Sequence, residues 1–444
     1  MDFELSLKLK ADIYDLMQSK DFMKAMDLLE LYSDKYGSDP DIVILQSMFH
    51  FKLNDLQTAQ TILEEGIQKY PLHEDLNYNI GFIYENVEDY SKSAFHFYIA
   101  QLVTKDEMLK EELSQKLSVL LSLLKVPVTN ILLENKSSIP KVSVIVTAYN
   151  QENYLKQTIE SLLSQIYPNI EIIVADDCST DGTESMMERF SGECRVNYKR
   201  NTQNLGPGIN GCQAFYQYGD GEYVLFVNHD DYLTDPNYVL KAVCLLESNK
   251  TLSFVFANCT KLNISTGEEQ QTGVYLNEEV NGLHYFMFYE TRDYPHITSL
   301  LTSVFRRELL VQMECLLEET MSKDLFLYLK LMLAGNVGFI QDNVGVYRVH
   351  EQSISYNMPP QYDYSTIKEL DSLRRFANKN YFPSDELMDK WLGFRIYAYF
   401  RWRFNTLRVQ NNYDQIDKIM NFLSQKYSNA YILLKKDAEE SELQ

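Results

Sequence analysis

Lys141-Val142-Ser143-Val144-Ile145-Val146-Thr147-Ala148-Tyr149-Asn150 is an apolar, β-branched run that stops at a polar turn, the pattern of a strand buried on both faces of a parallel sheet. Helical spacing follows: Leu155, Ile159, Leu162 and Leu163 recur on one face, and Tyr167-Pro168-Asn169 ends the element. A second strand, Ile170–Ala175, runs into Asp176-Asp177-Cys178-Ser179-Thr180-Asp181-Gly182-Thr183. A third, Tyr223–Val227, delivers Asn228-His229-Asp230-Asp231. Strands alternating with helices predict an α/β domain whose ligands bind beyond the carboxyl ends of the strands. Two adjacent carboxylates at such a tip repel each other unless a cation neutralises them. Mg²⁺ or Mn²⁺, held by one or two carboxylates plus substrate phosphates, meets that need.

In order and spacing, Thr147-Ala148-Tyr149-Asn150, the 176–183 segment, Asn204-Leu205-Gly206 and Asp230-Asp231 resemble family 2 glycosyltransferases. The resemblance implies an α/β GT-A nucleotide-diphospho-sugar transferase domain with a mostly parallel central sheet and a UDP-sugar as the foremost donor. It implies donor contacts from Thr147, Tyr149 (beside the base), Asp177 (on uracil), Asn204, Gly206, Asn210 and Asp230. It implies a Mn²⁺ or Mg²⁺ held by Asp230 and Asp231, with His350 of the closing Tyr347-Arg348-Val349-His350 as a further ligand. Asp324 matches the family's catalytic acid, which takes a proton from the acceptor hydroxyl during a single inverting displacement.

Other readings of these residues stay open on sequence alone. Asp177 and Asp324 also suit helix N-termini, Tyr149 suits strand-end packing, and the glycine-bearing 204–210 loop suits an ordinary turn. His296, in the segment expected on the acceptor side, reads first as structural. Three departures from the family stand out: Asn228-His229-Asp230 replaces Asp-x-Asp, Lys323 replaces the Glu before the catalytic acid, and no arginine lies between Asn201 and Asp220. A helix is expected from Tyr232 to about Leu246, and strands over 252–258, 300–305 and 344–350.

The first part of the chain repeats itself with a period of 34 residues. Asp21, Asp55 and Asp89 align, as do Phe22, Leu56 and Tyr90; Ala25, Ala59 and Ser93; and Leu29, Leu63 and Phe97. Paired helices of that period resemble tetratricopeptide repeats, whose groove suits a protein partner. The expected division is a helical repeat domain over 1–125, a linker over 126–140, the GT-A domain over 141–358 and a helical region over 359–444.

A formal charge of −22 over 444 residues excludes the basic footprint of a nucleic-acid binder. Six cysteines without a Cys-x-x-Cys pair suggest neither a zinc site nor a disulfide framework. With no signal-peptide core and no long apolar run, the expectation is a cytoplasmic protein, peripheral at most to the inner membrane face. The basic, aromatic run from Trp391 to Val409 would suit such a surface, but aromatics on all its sides favour burial. Lys435–Gln444 reads as a solvated tail. The acceptor implied is a hydroxyl of a protein, a polysaccharide or a lipid-linked sugar. The competing reading is a repeat-based interaction protein with a silent catalytic domain. A sugar nucleotidyltransferase would need a glycine-rich loop after the first strand, and Thr147–Asn153 contains no glycine.

Overall fold

The computed structural model describes residues 2–316, 323–350 and 359–441. The chain forms two compact units, one of residues 1–141 with 167–169 and 243–249, the other of 142–166, 170–242 and 250–444.

In the first unit the helices are Asp2–Gln18, Phe22–Tyr36, Pro40–Lys52, Leu56–Lys69, Glu74–Asn86, Tyr90–Val103, Glu107–Leu124 and Val128–Asn135. The periodic aspartates start alternate helices: Asp21, Asp55 and Asp89 accept from the backbone N–H of Lys24, Thr58 and Lys92, satisfying donors that a helix start leaves orphaned. The periodic small residues Ala25, Ala59 and Ser93 are fully buried because the helices approach closely there. A Cβ on Gly81 would lie 2.9 Å from the Phe97 ring. The expected linker is itself partly helical. Val128–Asn135 buries Ile131, and Pro127 precedes it, where a missing N–H breaks no helical bond.

The second unit is built on one sheet. Its strands are β1 (Val142–Ala148), β2 (Ile170–Asp176), β3 (Val196–Arg200), β4 (Tyr223–Asn228), β5 (Tyr232–Leu233), β6 (Leu252–Asn263), β7 (Glu269–Gln271), β8 (Glu279–Val280), β9 (Ser303–Arg306) and β10 (Asn336–Val349). The order is β3-β2-β1-β4-β9-β6-β10-β5, with β7 on β6 and β8 on β10. β3, β2, β1 and β4 are mutually parallel, as is β6 with β10, whereas β9, β5, β7 and β8 pair antiparallel. The sheet is therefore mixed rather than mostly parallel.

β1, β2 and β4 are almost wholly buried, which is why they read as continuous apolar runs. β3 is a polar edge strand, Val196-Asn197-Tyr198-Lys199-Arg200, and carries no such signal. The helix expected from Tyr232 starts instead at Tyr238, because Tyr232 and Leu233 pair with β10. The 300–305 strand begins as a short 3-10 turn, Leu300–Thr302, before β9.

The helices Pro360–Asn380, Asp385–Val409, Tyr413–Lys426 and Ser428–Ser441 share the hydrophobic core of the sheet. Trp391 stacks on Phe286 at 4.6 Å and donates its indole N–H to the Phe286 carbonyl. Arg403 and Asp363, both buried, pair at 3.0 Å. The aromatic run thus faces inward, and Trp402 and Val409 are among its exposed residues. The expected tail continues the helix Ser428–Ser441, and Lys435, Lys436 and Glu439 in it are exposed; residues 442–444 lie outside the described residues. Among the described residues, no helix is long and apolar enough to cross a membrane.

Candidate active site

The ends of β1 and β2 are tied to each other. Asn150, in the left-handed region at φ 52°, accepts from the Thr180 N–H at 2.7 Å and donates its own N–H to Ser179 Oγ at 2.9 Å. Asp176 is wholly buried: one oxygen accepts from the N–H and hydroxyl of Ser179, the other from the Tyr198 hydroxyl. Asp177 holds the loop before the helix Pro207–Gln217. Its Oδ1 accepts from Leu205 N–H at 2.8 Å and Asn201 Nδ2 at 3.0 Å, and its Oδ2 from Gly206 N–H at 2.8 Å.

Gly206 takes φ 84°, a conformation that side chains resist. Asn210 is buried, donating to the Ala175 carbonyl and accepting from Asn201. Asn204 and Tyr149 are exposed, and Thr147 is half-buried. The Thr147 carbonyl accepts from the backbone of His229 and faces its Nδ1 at 3.0 Å. Burial lowers the His229 pKa, which favours a neutral ring donating from Nδ1.

The acids after β4 meet the end of β10. β10 pairs antiparallel with β5, Val346 opposite Tyr232, and continuing that register by two residues sets Arg348 opposite Asp230. The Arg348 backbone N–H donates to Asp231 Oδ1 at 2.9 Å. Its guanidinium is buried, with its carbon 4.9 Å from the Tyr154 ring centre and 4.5 Å from that of Tyr232, and it donates to the Asp230 carbonyl and to Gln157. His350 reaches Asp230: Nε2 and Oδ2 are 2.9 Å apart, and the imidazole stacks on Tyr154. Asp231 is fully enclosed and its Oδ2 has no hydrogen-bond partner. Desolvation and the adjacent Asp230 charge push Asp231 well above the usual carboxylate range, against the pull of Arg348.

Asp230 thus meets His350 directly, with Asp231 the next residue along; the two carboxylates are the hard donors that suit Mg²⁺ or Mn²⁺, while an imidazole suits softer transition metals better. Among the described residues no group of three or more His, Cys, Asp or Glu converges as a ready cation site. An ion here would complete its sphere with phosphate oxygens and water.

Asp324 sits in the first turn of the helix Lys323–Ala334. Solvent reaches the residue, yet protein crowds it enough for desolvation to push its pKa up to about 6, with His296 pulling it down. The Lys323 side chain lies outside the described residues. Sequence reasoning missed Arg200, which closes β3 beside Asp176 and donates to the Ser179 carbonyl at 2.9 Å. It lies one residue before the arginine-free 201–220 stretch, and only the β2–β3 register, with Asp176 opposite Arg200, reveals it.

Residues 143–310 match the family model for glycosyl transferase family 2. They are a family 2 glycosyltransferase domain. The chain is 40% identical over 111 residues to an uncharacterized glycosyltransferase of Haemophilus influenzae, a stretch covering 25% of this chain and 34% of that protein. It is 40% identical over 96 residues to the Staphylococcus aureus poly(ribitol-phosphate) beta-N-acetylglucosaminyltransferase TarS, covering 21% of this chain and 17% of TarS. It is 37% identical over 91 residues to the Escherichia coli UDP-Glc:alpha-D-GlcNAc-diphosphoundecaprenol beta-1,3-glucosyltransferase WfaP, covering 20% of this chain and 36% of WfaP. The matched stretches therefore span about a third of these relatives' length or less.

In structure, the chain resembles S. aureus TarS residues 1–349, alone (TM-score 0.51) and in complex with UDP-GlcNAc (TM-score 0.52). Each alignment has 19% identity and covers 68% of this chain and 92% of that one. The fold is GT-A-like: a mixed sheet preceded by a helical region and followed by further helices.

Proposed function

We propose that the chain is an inverting, metal-dependent glycosyltransferase that moves a sugar from a UDP-sugar to a hydroxyl of a protein, polysaccharide or lipid-linked acceptor. The observation that carries the reading is the convergence of Asp230, Asp231 and His350 at one end of the domain's sheet. There Asp230 meets His350 through one carboxylate oxygen, and the buried Asp231 Oδ2 is left without a hydrogen-bond partner.

Asp230, Asp231 and His350 would hold Mn²⁺ or Mg²⁺, which when bound offsets the charge of the leaving diphosphate. Tyr149, exposed at the end of β1, flanks the base. Asp177 and Asn210 fix the 201–206 loop, whose Gly206 and Asn204 border the donor. Thr147 positions His229 behind the acids. Asp324 accepts the proton of the attacking hydroxyl, and its raised pKa suits a general base working near neutral pH. The names of TarS and WfaP support N-acetylglucosamine or glucose as the sugar. The 34-residue helix pairs, tetratricopeptide-like in period, supply a surface for a protein partner or a protein acceptor.

The competing reading, a binding protein with a silent catalytic domain, draws on Asp177, both of whose oxygens are engaged by the 201–206 loop. Incubation with UDP-GlcNAc, UDP-Glc and GDP-Man, with Mn²⁺ or a chelator, separates the two. Metal-dependent release of one nucleotide is expected, and Asp324→Asn should abolish it while still binding UDP. No nucleotide binding with metal present would refute the enzyme reading.

A further inference from the structure

Between the helix Gly282–Phe288 and β9 the chain carries a row of aromatic and polar side chains that the proposed chemistry does not use. Its place follows from the sheet. β9 runs antiparallel to β4, with Arg306 opposite Tyr223 and Val304 opposite Leu225, so the chain before Ser303 lies towards Asn228 and the acids that follow it. Leu301 lies against Gly345, whose Cβ would fall 2.8 Å from it, and Gly345 pairs with Leu233, two residues after Asp231. Tyr328 donates to the Ser299 carbonyl at 3.2 Å and meets the Ser303 hydroxyl at 2.8 Å. It stands one turn after Asp324, on the same face of their helix.

Burial alternates along the segment: Ile297 and Ser299 are buried, the His296 side chain is 54% exposed and Thr298 is half-buried. Alternate residues of an extended chain share a face, so Tyr294, His296 and Thr298 look outward, about 7 Å apart. At the far end Phe288, 52% exposed, stacks on Tyr294 with ring centres 5.8 Å apart and planes 26° from parallel. The row is held from beneath. Tyr285 donates to the Pro295 carbonyl at 2.9 Å, and the Tyr289 hydroxyl accepts from the Ile297 N–H at 3.2 Å. Glu290, paired at 2.9 Å with the buried Arg395, stands 3.2 Å from His296 Nδ1. The opposite edge of the imidazole is the one left to a ligand.

Exposed rings in line with an imidazole edge and a hydroxyl, on a backbone already ordered, suit a saccharide. A sugar ring presents polarised C–H groups to the negative face of an aromatic ring and hydroxyls to neighbouring polar groups. The charges here cancel, Arg292 against Asp293 and Glu290 against Arg395, so the row draws neither a polyanion nor an anionic membrane. From Tyr294 to Thr298 it runs about 13 Å, longer than one sugar ring. We propose that Phe288, Tyr294, His296 and Thr298 form a track for a neutral glycan chain as acceptor. The two aromatic rings stack on a sugar remote from the reacting hydroxyl, and His296 and Thr298 bind the units that lead towards Asp324. The inference rests on the reading of the chain as a transferase to a hydroxyl acceptor, and it narrows that acceptor to a polysaccharide.

The test applies the full-length protein in Mn²⁺, with and without UDP, to an array of neutral glucan, chitin, mannan and galactan oligosaccharides beside an array of peptides. At least one glycan series should retain the wild type, more strongly as tetrasaccharide than as disaccharide. Phe288→Ser and His296→Ala, both at exposed positions, should each weaken binding of that tetrasaccharide about tenfold by calorimetry, and Phe288→Trp should restore it. Retention on no glycan, affinity unchanged in both variants, or retention on peptides in place of glycans overturns the inference. UDP binding by the wild type, followed in parallel, tests the donor reading separately: its absence would refute that reading, while the array without UDP still decides this one.

Discussion

Arg348→Met tests whether the end of β10 is what holds the acids after β4. Methionine keeps most of the volume but removes the guanidinium from between Tyr154 and Tyr232 and from the Asp230 carbonyl and Gln157. Gln157 is exposed and regains water, so that bond contributes little. The hydrogen bond from a charged donor to the Asp230 carbonyl is worth about 1.5–3 kcal/mol. The cation–π contacts, with Arg348 6% exposed, add about 2 kcal/mol.

Allowing for methionine's own contacts with the rings, the expected loss is about 3–4 kcal/mol. Urea denaturation followed by tryptophan fluorescence measures it, since both tryptophans, Trp391 and Trp402, lie in the same unit as Arg348. Below the transition, UDP binding should also weaken in Mn²⁺, because Asp230 loses its anchor. A loss under about 1 kcal/mol, the range of an ordinary surface change, would refute the account of the guanidinium as the anchor of this corner.

Turnover should fall as pH drops through about 6, because only the ionised Asp324 accepts a proton and its pKa stands at about 6; a limb near the ordinary carboxylate value of about 4 would contradict the crowding described. Asp231 has its pKa raised in the folded state, so its ionisation costs stability as pH rises above the ordinary carboxylate range. Asp231→Asn should therefore melt no lower than wild type in chelator at pH 7. It should also lose the gain of about 2.7 kcal/mol expected for wild type with Mn²⁺ at a hundred times its Kd, and an equal Mn²⁺ gain in both proteins would exclude Asp231 from the cation site. Gly81→Val should destabilise the helical unit by about 1–3 kcal/mol, since its Cβ falls 2.9 Å from the buried Phe97 ring; a more stable variant by circular dichroism would show that the helices have room there.

The elements legible in the sequence were those with one dominant physical signal. β1, β2 and β4 declare themselves as apolar runs because both faces are covered, and the helix pairs do so because Asp21, Asp55 and Asp89 recur as caps. β3 was lost because an edge strand needs no apolar face, and with it went Arg200. The Tyr232 helix was misplaced because two residues of cross-strand pairing outweighed an otherwise continuous helical pattern. The inward packing of Trp391–Val409 was correctly favoured, since a helix apolar on every side has no solvent face to offer.

What the sequence withheld at the site was pairing across distance. Arg348 and Asp231 are 117 residues apart. Which residue of the 344–350 segment meets the acids depends on a register that β10 alters along its own length, with irregularities between Ile340 and Asn343 and between Asn343 and Val346 where it runs beside β6. A slip of one residue would turn every side chain of the segment to the opposite face, exchanging Arg348 and His350 for Tyr347 and Val349. Composition is the same in either register, so no local pattern separates them. The pairing of Gly345 with Leu233 fixes the choice, and it tolerates little else there: a Cβ on Gly345 would meet the Tyr232 carbonyl at 2.9 Å and Leu301 at 2.8 Å. The smallest side chain in the segment therefore determines that an arginine and a histidine reach the two aspartates.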